Sequence, residues 1–585
     1  MSVIRVWAPA ARRVRVTDGA VAVDLASGSG GWWTGPDLPA GTRYQFLLDD
    51  NPDPRPDPAA RSQPDGVHGP SQVYDQDGFG WHDGDWRGRD LTAAVVYEAH
   101  VGTFTPGATF DAAIERLDHL TRLGVTHVEL LPVNAFNGTW NWGYDGVAWY
   151  AVHEPYGGPD GLKRFVDACH ARGLAVLLDV VYNHLGPSGN YLPEFGPYVR
   201  SGRNSWGDLI NFDEPAVRRF VIENALMWLR DYHVDGLRLD AVHALQDRSP
   251  VHVMAELSAE VDALALELGR PLSLIGESDL NDPIVITPRE QGGWGLTAQW
   301  DDDIHHALHA ALSGERQGYY DDFGSLACLA KVLTSAFFHD GTYSTFRGRA
   351  HGRPVDREHT AGWRFVGCLQ NHDQVGNRAY GDRLPEIVSG PLLAVGAVLL
   401  LTSPFTPMLW MGEEWAATTR WPFFTSHPEP ALATATAAGR LAEFADHGWD
   451  ATTIVDPQDP SAYYSAILDW SEQDRPDHAA VLDLYRRLIA LRAAEPDLRD
   501  PDLSRVRVEF AEDEQTLVID RGQFRIVVNL TAAPRRVVGV AGDVVLATGD
   551  ISDEPDGIRL SGESAAILRG GAADPSPTSA GLSVR

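Results

Sequence analysis

The alternation of hydrophobic and polar positions changes its period near residue 93. The first ninety residues form short runs in which apolar and polar residues alternate, as at 4–7 and 14–16, and clusters of Gly, Pro and Asp interrupt them. Such alternation is typical of strands with one buried face. We therefore predict an N-terminal β-sandwich, of the kind found in carbohydrate-binding domains, over residues 1–90, with residues 51–70 as loop or linker.

From residue 93 onward, buried apolar runs alternate with amphipathic helical segments. This order is typical of βα units around a parallel sheet. Eight apolar runs predict eight strands, the number that a (β/α)8 TIM barrel needs. We assign the catalytic barrel to residues 91–497. The predicted strands cover residues 93–98, 126–131, 175–181, 236–240, 272–276, 296–300, 364–369 and 407–411.

Three further segments complete the predicted organisation of this α/β chain. Residues 183–212 are rich in Gly, Pro, Tyr and Asn without a helical period, which predicts a subdomain inserted after the third strand; long loops of this kind are usually functional. After a helix at 479–494, strand-like runs predict a C-terminal β-domain over residues 498–570. The Ser-, Pro-, Ala- and Gly-rich residues 571–585 predict a disordered tail. The C-terminal strand-like runs are 506–510, 516–519, 524–528 and 544–546.

Composition and charge limit the class of protein and its partners. The 585 residues contain no apolar run long enough to span a bilayer and no N-terminal signal pattern, so we expect an unexported, cytoplasmic protein. Three cysteines without CxxC spacing predict neither a disulfide framework nor a zinc cluster. A net charge of −33 disfavours nucleic acids and anionic membranes as partners and favours a neutral or cationic small molecule, although solubility alone explains it equally well.

Four predicted strands end in, or run just before, a carboxylate. Asp179, Asp240 and Glu277 stand at or directly after the apolar runs of three strands, and Asp373 follows a fourth run by a few residues. Catalytic residues of a TIM barrel lie where its strands end, on one face of the barrel. A single polar strand end has little meaning because every strand becomes polar when it leaves the core. Four at one end of a barrel predict an active site.

The segment before Asp240 predicts how that carboxylate is held. Strand alternation places Arg238 and Asp240 on one face and Leu237 and Leu239 on the other, where the leucines meet helices. A guanidinium beside a carboxylate keeps it ionised and fixes its direction, as a nucleophile requires. From this segment alone, a buried structural Arg–Asp pair is an equally good interpretation.

Glycoside hydrolysis needs one protonated and one ionised carboxyl group. We therefore predict Asp240 as nucleophile and Glu277 as general acid/base. Asp373 is predicted to bind sugar hydroxyls that become more acidic in the transition state. Its neighbours Asn371 and His372 supply donors for such hydroxyls.

Aromatic and histidine side chains near the same loops suggest sugar contacts. Because sugar rings present apolar faces, Tyr144 and Trp410 are candidates to flank the cleft, with core packing as the alternative for Trp410. His184 and His243 follow strand-end aspartates and are candidate donors to hydroxyls, although a solvated or structural histidine explains each about as well. The tryptophan pair at 32–33 suggests either a glucan platform or interdomain packing.

Four segments together resemble the signature regions of the α-amylase family, glycoside hydrolase family 13. The resemblance implies the same three catalytic roles for Asp240, Glu277 and Asp373. It also places Tyr144, Arg238, His184 and His372 at the subsite of the attacked glucose, and we add Asp145 as substrate-binding and Asp179, Asn183 and Asn371 as supporting residues. The four segments are Asp179-Val-Val-Tyr-Asn-His184, Gly236-Leu-Arg-Leu-Asp240, Gly276-Glu277 and Asn371-His372-Asp373.

Five narrower segments resemble trehalose-releasing members of this family. They are residues 97–105, 141–146, 411–416, 456–460 and 468–470. Those enzymes cut the α-1,4 bond next to a terminal trehalose unit in trehalose biosynthesis, which implies functional pairing with a maltooligosyl-trehalose synthase. A 1,4-α-glucan branching enzyme or another α-glucan hydrolase of the family is the alternative. An inactive glucan-binding protein has no need for three carboxylates. By loop position His243, Trp410, Glu413 and Glu414 are candidates to bind the trehalose unit.

No cofactor is required for this chemistry, and we predict no metal. Asn183 matches a position that binds structural calcium in many amylases, but the sequence offers no second cluster of oxygen ligands that completes such a site.

Overall fold

A computed structural model of the chain describes residues 2–446 and 455–570. The predicted disordered tail at 571–585 lies outside the described residues. None of the helices in the described ranges combines the length and the apolar character needed to span a bilayer.

The N-terminal residues form two small antiparallel sheets, as the alternating pattern predicted. The pattern places Tyr44, Phe46 and Leu48 of one strand on the buried face. The pair Trp32 and Trp33 does not form an open platform. The guanidinium of Arg5 lies 4.1 Å from the ring centroid of Trp32, and Trp33 is buried. One sheet contains Ser2–Trp7, Trp32–Leu38 and Ala26–Ser27, and the other Ala22–Asp24, Val14–Thr17, Arg43–Leu48 and Ser71–Gln72.

Eight parallel strands close into a barrel, and each overlaps one of the eight predicted runs. We number them β1 to β8 in chain order, and the order around the ring is β3-β4-β5-β6-β7-β8-β1-β2. The (β/α)8 prediction is confirmed. The strands are β1 (Val96–Ala99), β2 (His127–Leu130), β3 (Ala175–Val180), β4 (Gly236–Leu239), β5 (Ser273–Gly276), β6 (Ala298–Trp300), β7 (Phe365–Cys368) and β8 (Thr406–Trp410).

The alternation within β4 directs its charged residue into the barrel. Leu237 and Leu239 belong to the large core that packs against the helices, whereas Ile275 and Trp300 belong to a separate cluster inside the barrel. The guanidinium of Arg238 lies 4.3 Å from the ring centroid of Trp300. The predicted two faces of β4 are therefore present.

Helices follow the strands and cover the outside of the barrel. The helix predicted at 479–494 begins slightly earlier, at a proline suited to a first helical turn. Glycines in the left-handed conformation end three of these helices, at Gly124, Gly269 and Gly314. The longer helices are Gly158–His170, Pro215–Asp231, Val253–Leu268, Asp302–Ser313, Leu326–Ser335, Gly390–Thr402, Pro430–Asp446 and Pro476–Ala494, and two shorter ones are Phe110–Ile114 and Leu117–Leu123.

The excursion predicted at 183–212 contains a short helix, Leu192–Phe195, and a hairpin of Val199–Arg203 with Asp208–Ile210. It packs against the N-terminal sheets, where the rings of Trp7 and Tyr198 meet edge to face at 5.1 Å. The excursion therefore ties the N-terminal sheets to the barrel.

The C-terminal residues form a five-stranded antiparallel sheet beside a three-stranded one, so a C-terminal β-domain is confirmed as a fold element. The predicted domain boundaries remain predictions. The larger sheet contains, in order, Arg507–Ala511, Thr516–Arg521, Phe524–Asn529, Ser564–Arg569 and Asp543–Ala547, and the smaller Arg535–Val538, Gly557–Leu560 and Ile551–Glu554.

Candidate active site

A cavity of about 860 Å³ opens at the carboxyl ends of the barrel strands, and the three predicted catalytic carboxylates line it. Asp240 directly follows β4, Glu277 directly follows β5, and Asp373 lies on the short helix His372–Gly376 after β7. The structure thus brings the three predicted residues to one cavity, which has the volume of a typical small-molecule site.

One buried guanidinium holds three carboxylates together. Arg238 Nη1 donates to Asp179 Oδ2 at 2.7 Å and to Asp240 Oδ1 at 2.8 Å, and Arg238 Nη2 lies 2.9 Å from Glu277 Oε2. Burial alone disfavours the charged guanidinium, but Asp179, Glu277 and Asp240 outweigh it and raise the pKa of Arg238 well above its usual range. Two of these carboxylates, Asp240 and Glu277, face the cavity, so the Arg–Asp pair lies at the wall of the candidate site.

The Asp240 carboxylate is fixed through both of its oxygens. Its Oδ1 accepts from Arg238, and its Oδ2 accepts from Asn183 Nδ2 at 2.5 Å. The amide oxygen of Asn183 lies 2.6 Å from His184 Nδ1. Asn183, which the sequence analysis considered as a calcium ligand, thus orients the predicted nucleophile. Among residues 2–446 and 455–570, no group of three or more His, Cys, Asp or Glu side chains is placed to hold a metal ion.

Glu277 is held on one side by the backbone. Its Oε2 accepts from Ala241 N at 2.7 Å. Ala241 has a φ of 41°, in the left-handed region that costs a non-glycine residue roughly 1–2 kcal/mol. The loop after β4 therefore carries local strain while it aims one N–H at the predicted general acid/base.

A chain of short polar contacts crosses the floor of the cavity from β3 to β1. Tyr144 Oη donates to Asp179 Oδ2 at 2.5 Å and lies 2.8 Å from His372 Nε2, whose Nδ1 lies 2.5 Å from Glu98 Oε1. Burial disfavours the charged imidazole, but Asp373 and Glu98 outweigh it and raise the pKa of His372 to about 9. Burial raises the pKa of Asp179 to about 7, although Arg238 opposes the shift.

Glu98 is a residue of this chain that the sequence analysis did not select. The signal was present, because the predicted run 93–98 also ends in a carboxylate. Glu98 is 1% exposed and accepts from the backbone N–H of His372 at 3.0 Å as well as contacting its ring. Its place is therefore beneath the site, where it orients His372.

The remaining predicted residues lie around the cavity at different depths. Asp145 and His184 line it. His243 lies behind the rim, where its Nδ1 accepts from Asp279 N at 3.2 Å and its ring meets that of Trp206. Asn371 does not line the cavity, because its side chain accepts from Gln374 N and caps the helix that carries Asp373.

The candidates after β8 do not contact the cavity, which corrects the prediction that they bind substrate. Trp410 is fully buried, with its ring 4.8 Å from that of Trp421. Glu413 accepts from Tyr485 Oη at 3.1 Å, and burial raises its pKa to about 8. Glu414 is fully buried and pairs with a histidine on the outer helix layer. The chain leaves β8 beneath helix Pro476–Ala494, so this strand end turns away from the cavity.

Several lining residues come from loops whose course the local pattern does not specify. Trp206 lies in the excursion after β3, is 51% exposed and faces the ring of His184. Asp302 follows β6 and lies between two other aspartates, so the sequence alone does not indicate which of the three faces the cavity. Other lining residues from such segments include Tyr319, Phe346 and Arg347, and Arg440 lines the cavity from the helix Pro430–Asp446.

Comparisons with known proteins agree with this geometry. Residues 70–206 match the model of the alpha amylase catalytic domain, and residues 501–567 match a domain of unknown function, DUF3459. The malto-oligosyltrehalose trehalohydrolase of Arthrobacter ramosus is 55% identical over 582 residues, 96% of this chain and 99% of that protein. A crystal structure of a putative alpha amylase from Salmonella typhimurium is 37% identical, with a TM-score of 0.89 and 97% of both chains covered. A 1,4-alpha-glucan branching enzyme of Corynebacterium jeikeium is 30% identical over 47% of this chain and 44% of its own length.

Proposed function

Since the chain belongs to the malto-oligosyltrehalose trehalohydrolase family within the α-amylase family, we propose that it hydrolyses the α-1,4-glucosidic bond next to the terminal trehalose unit of maltooligosyl-trehalose. The reaction releases free trehalose. The observation that carries the proposal is the convergence of Asp240, Glu277 and Asp373 on one cavity, with Arg238 bridging the first two. The match to the trehalohydrolase of Arthrobacter ramosus covers 96% of this chain, whereas the match to the branching enzyme covers 47% of it.

The proposed mechanism is double displacement with retention. Glu277 gives its proton to the glycosidic oxygen while Asp240 attacks the anomeric carbon, so the C–O bond to the leaving sugar breaks and a β-glucosyl ester forms. Glu277, now a carboxylate, takes a proton from water, whose oxygen attacks the same carbon and releases Asp240. Asp373 binds hydroxyls of the attacked glucose as positive charge develops at its ring.

The surrounding residues hold that glucose. Tyr144, Asp145 and His184 line the cavity on the side of the loops after β2 and β3, and His372 lies beside Asp373. Arg238 does not touch the sugar in this proposal; it orients the nucleophile. No redox or organic cofactor takes part.

Removal of either catalytic carboxylate tests the mechanism. We expect Asp240→Asn and Glu277→Gln to remain folded, because each change nearly preserves shape, and to lower turnover by several orders of magnitude, because the covalent step or its proton is lost. Circular dichroism and melting temperature check the fold. Turnover near that of the wild type in either variant would contradict the role assigned to that residue.

The substrate is tested by product analysis. The purified protein is incubated separately with maltotriosyl-trehalose and with a plain malto-oligosaccharide of similar length, and products are separated by chromatography. Free trehalose and maltotriose from the first, with little product from the second, are expected. Comparable hydrolysis of both indicates an amylase, new α-1,6 branches on a longer glucan indicate a branching enzyme, and binding without products indicates an inactive glucan-binding protein.

The cellular setting follows from this proposal. A maltooligosyl-trehalose synthase is the enzyme whose product this chain would consume. We also propose a cytoplasmic location.

A further inference from the structure

Three consecutive aspartates follow β6, and the structure gives them three different surroundings. Asp301 caps the helix Asp302–Ser313 by accepting from backbone N–H groups at the start of that helix. Asp303 Oδ2 accepts from Asn281 Nδ2 at 2.8 Å and from two backbone N–H groups. Asp302 accepts no hydrogen bond from any residue of the described ranges, and it lines the catalytic cavity. Its neighbours thus have structural tasks that Asp302 does not share.

The order of strands around the barrel gives Asp302 a definite place in the cavity. It follows β6, between β5 with Glu277 and β7 with Asp373, while the loop with Tyr144 follows β2 on the opposite side of the ring. In the proposed mechanism Glu277 gives its proton to the oxygen of the leaving sugar. A carboxyl beside Glu277 and across the cavity from Tyr144 therefore faces the leaving sugar.

The charge around Asp302 favours a neutral carboxyl. Burial raises its pKa to about 8, and the neighbouring carboxylates of Glu277 and Asp373 add to the shift. Near neutral pH the group is then an O–H donor that also retains an acceptor oxygen. A sugar hydroxyl likewise donates and accepts, so the two groups are complementary.

We propose that the Asp302 carboxyl hydrogen-bonds a hydroxyl of the leaving trehalose unit and so helps to select the sugar that leaves. This inference rests on the proposed function, whose leaving group it describes. A site built to hydrogen-bond a substrate group discriminates strongly against ligands that leave it unpaired. The position, the absence of a described partner and the neighbouring carboxylates all fit such a contact.

A purely structural role makes a different prediction. An acidic residue in the first turn of a helix stabilises that helix through its dipole when the residue is ionised. If Asp302 served only this purpose, its removal would lower the melting temperature and leave substrate kinetics and trehalose binding unchanged. Stability and binding therefore distinguish the two roles.

The test compares the wild type with Asp302→Ala, Asp302→Asn and Asp321→Asn. Asp321 is an exposed aspartate in the same stretch of the chain and serves as the matched control. For each protein, kcat and KM are measured on maltotriosyl-trehalose and on a plain malto-oligosaccharide, and the Kd of trehalose is measured by calorimetry.

Loss of the carboxyl in Asp302→Ala is expected to lower kcat/KM on the trehalose-ended substrate and to weaken trehalose binding, each by roughly 10- to 100-fold. Asp302→Asn retains a donor and an acceptor, so it is expected to stay close to the wild type near neutral pH, as is Asp321→Asn. Above about pH 8 the wild type is expected to lose trehalose affinity as Asp302 ionises, and Asp302→Asn is not.

The possible results separate this inference from the proposed function. Unchanged kcat/KM and trehalose Kd in Asp302→Ala would overturn the contact, and an Asn variant as impaired as the Ala variant would overturn the neutral donor. If the wild type hydrolyses both substrates equally, the proposed function fails. In that case a lower kcat/KM of Asp302→Ala on the plain malto-oligosaccharide still supports a contact with the leaving sugar. An unchanged kcat/KM refutes that contact.

Discussion

Replacement of Arg238 by methionine is the most informative single change at this site. Methionine has a similar length without the charge, so Arg238→Met removes the contacts with Asp179 at 2.7 Å, Asp240 at 2.8 Å and Glu277 at 2.9 Å. Removing one partner of a buried ion pair typically costs about 3–5 kcal/mol of stability. Because two of the three carboxyl groups face the cavity and can be solvated there, we expect a cost near the lower end of that range.

The effect on turnover should exceed the effect on stability. Without the guanidinium, Asp240 loses one of its two positioning hydrogen bonds, and a nucleophile that is poorly oriented reacts slowly. Loss of one preorganised donor at a reacting centre typically lowers kcat about 100- to 1,000-fold. We expect a loss of at least that size, since Arg238 contacts both catalytic carboxylates.

The assay measures kcat on maltotriosyl-trehalose together with urea unfolding. Arg219→Met is the matched control, because Arg219 forms a half-exposed helix pair with Glu223 and lies outside the cavity. That control should retain turnover. A folded Arg238→Met with turnover within a few-fold of the wild type would refute the conclusion that this guanidinium organises the nucleophile.

Two further predictions concern the support of the site. Gly143→Ala should lower both stability and turnover, because Gly143 has a φ of 109° and an added Cβ would lie 2.3 Å from Pro132 O, next to the cavity-lining Tyr144. Gly390→Ala is the control, since a Cβ added there meets no atom within 4 Å and should change neither property. Activity and melting temperature test this contrast. The pKa of His372 is raised from 6.5 to about 9, so its contribution to stability is fully present below about pH 6.5 and is lost as pH rises through about 9. Glu98→Gln should lower the free energy of unfolding near neutral pH and make that free energy decline less steeply toward pH 9. If the curves of unfolding free energy against pH run parallel for the variant and the wild type, this expectation is contradicted.

The sequence predicts the barrel and the meeting of three carboxylates at one cavity, because both depend on local patterns. A strand must become polar where it leaves the core, and parallel strands leave a barrel at the same end. The same reasoning fails at Trp410 and Glu413, because the pattern does not show that the chain after β8 turns beneath a helix. It also fails at Asp302, since the residue type and strand position of three adjacent aspartates do not tell which one faces the cavity.

The polar contacts of Asp240 and Glu277 differ in a way that supports the different roles proposed for them. Asp240 accepts through both oxygens, from Arg238 and Asn183, and only an ionised carboxylate accepts strongly on both sides while it keeps lone pairs for attack. Glu277 has both of its contacts on Oε2, and its Oε1 has no hydrogen-bond partner among the described residues. A proton on Oε1 leaves the Oε2 contacts intact and is available to a glycosidic oxygen. These contacts support the proposed roles, with Asp240 as the nucleophile and Glu277 as the proton donor, because Asp240 would have to give up one of its two contacts to carry a proton for the leaving sugar.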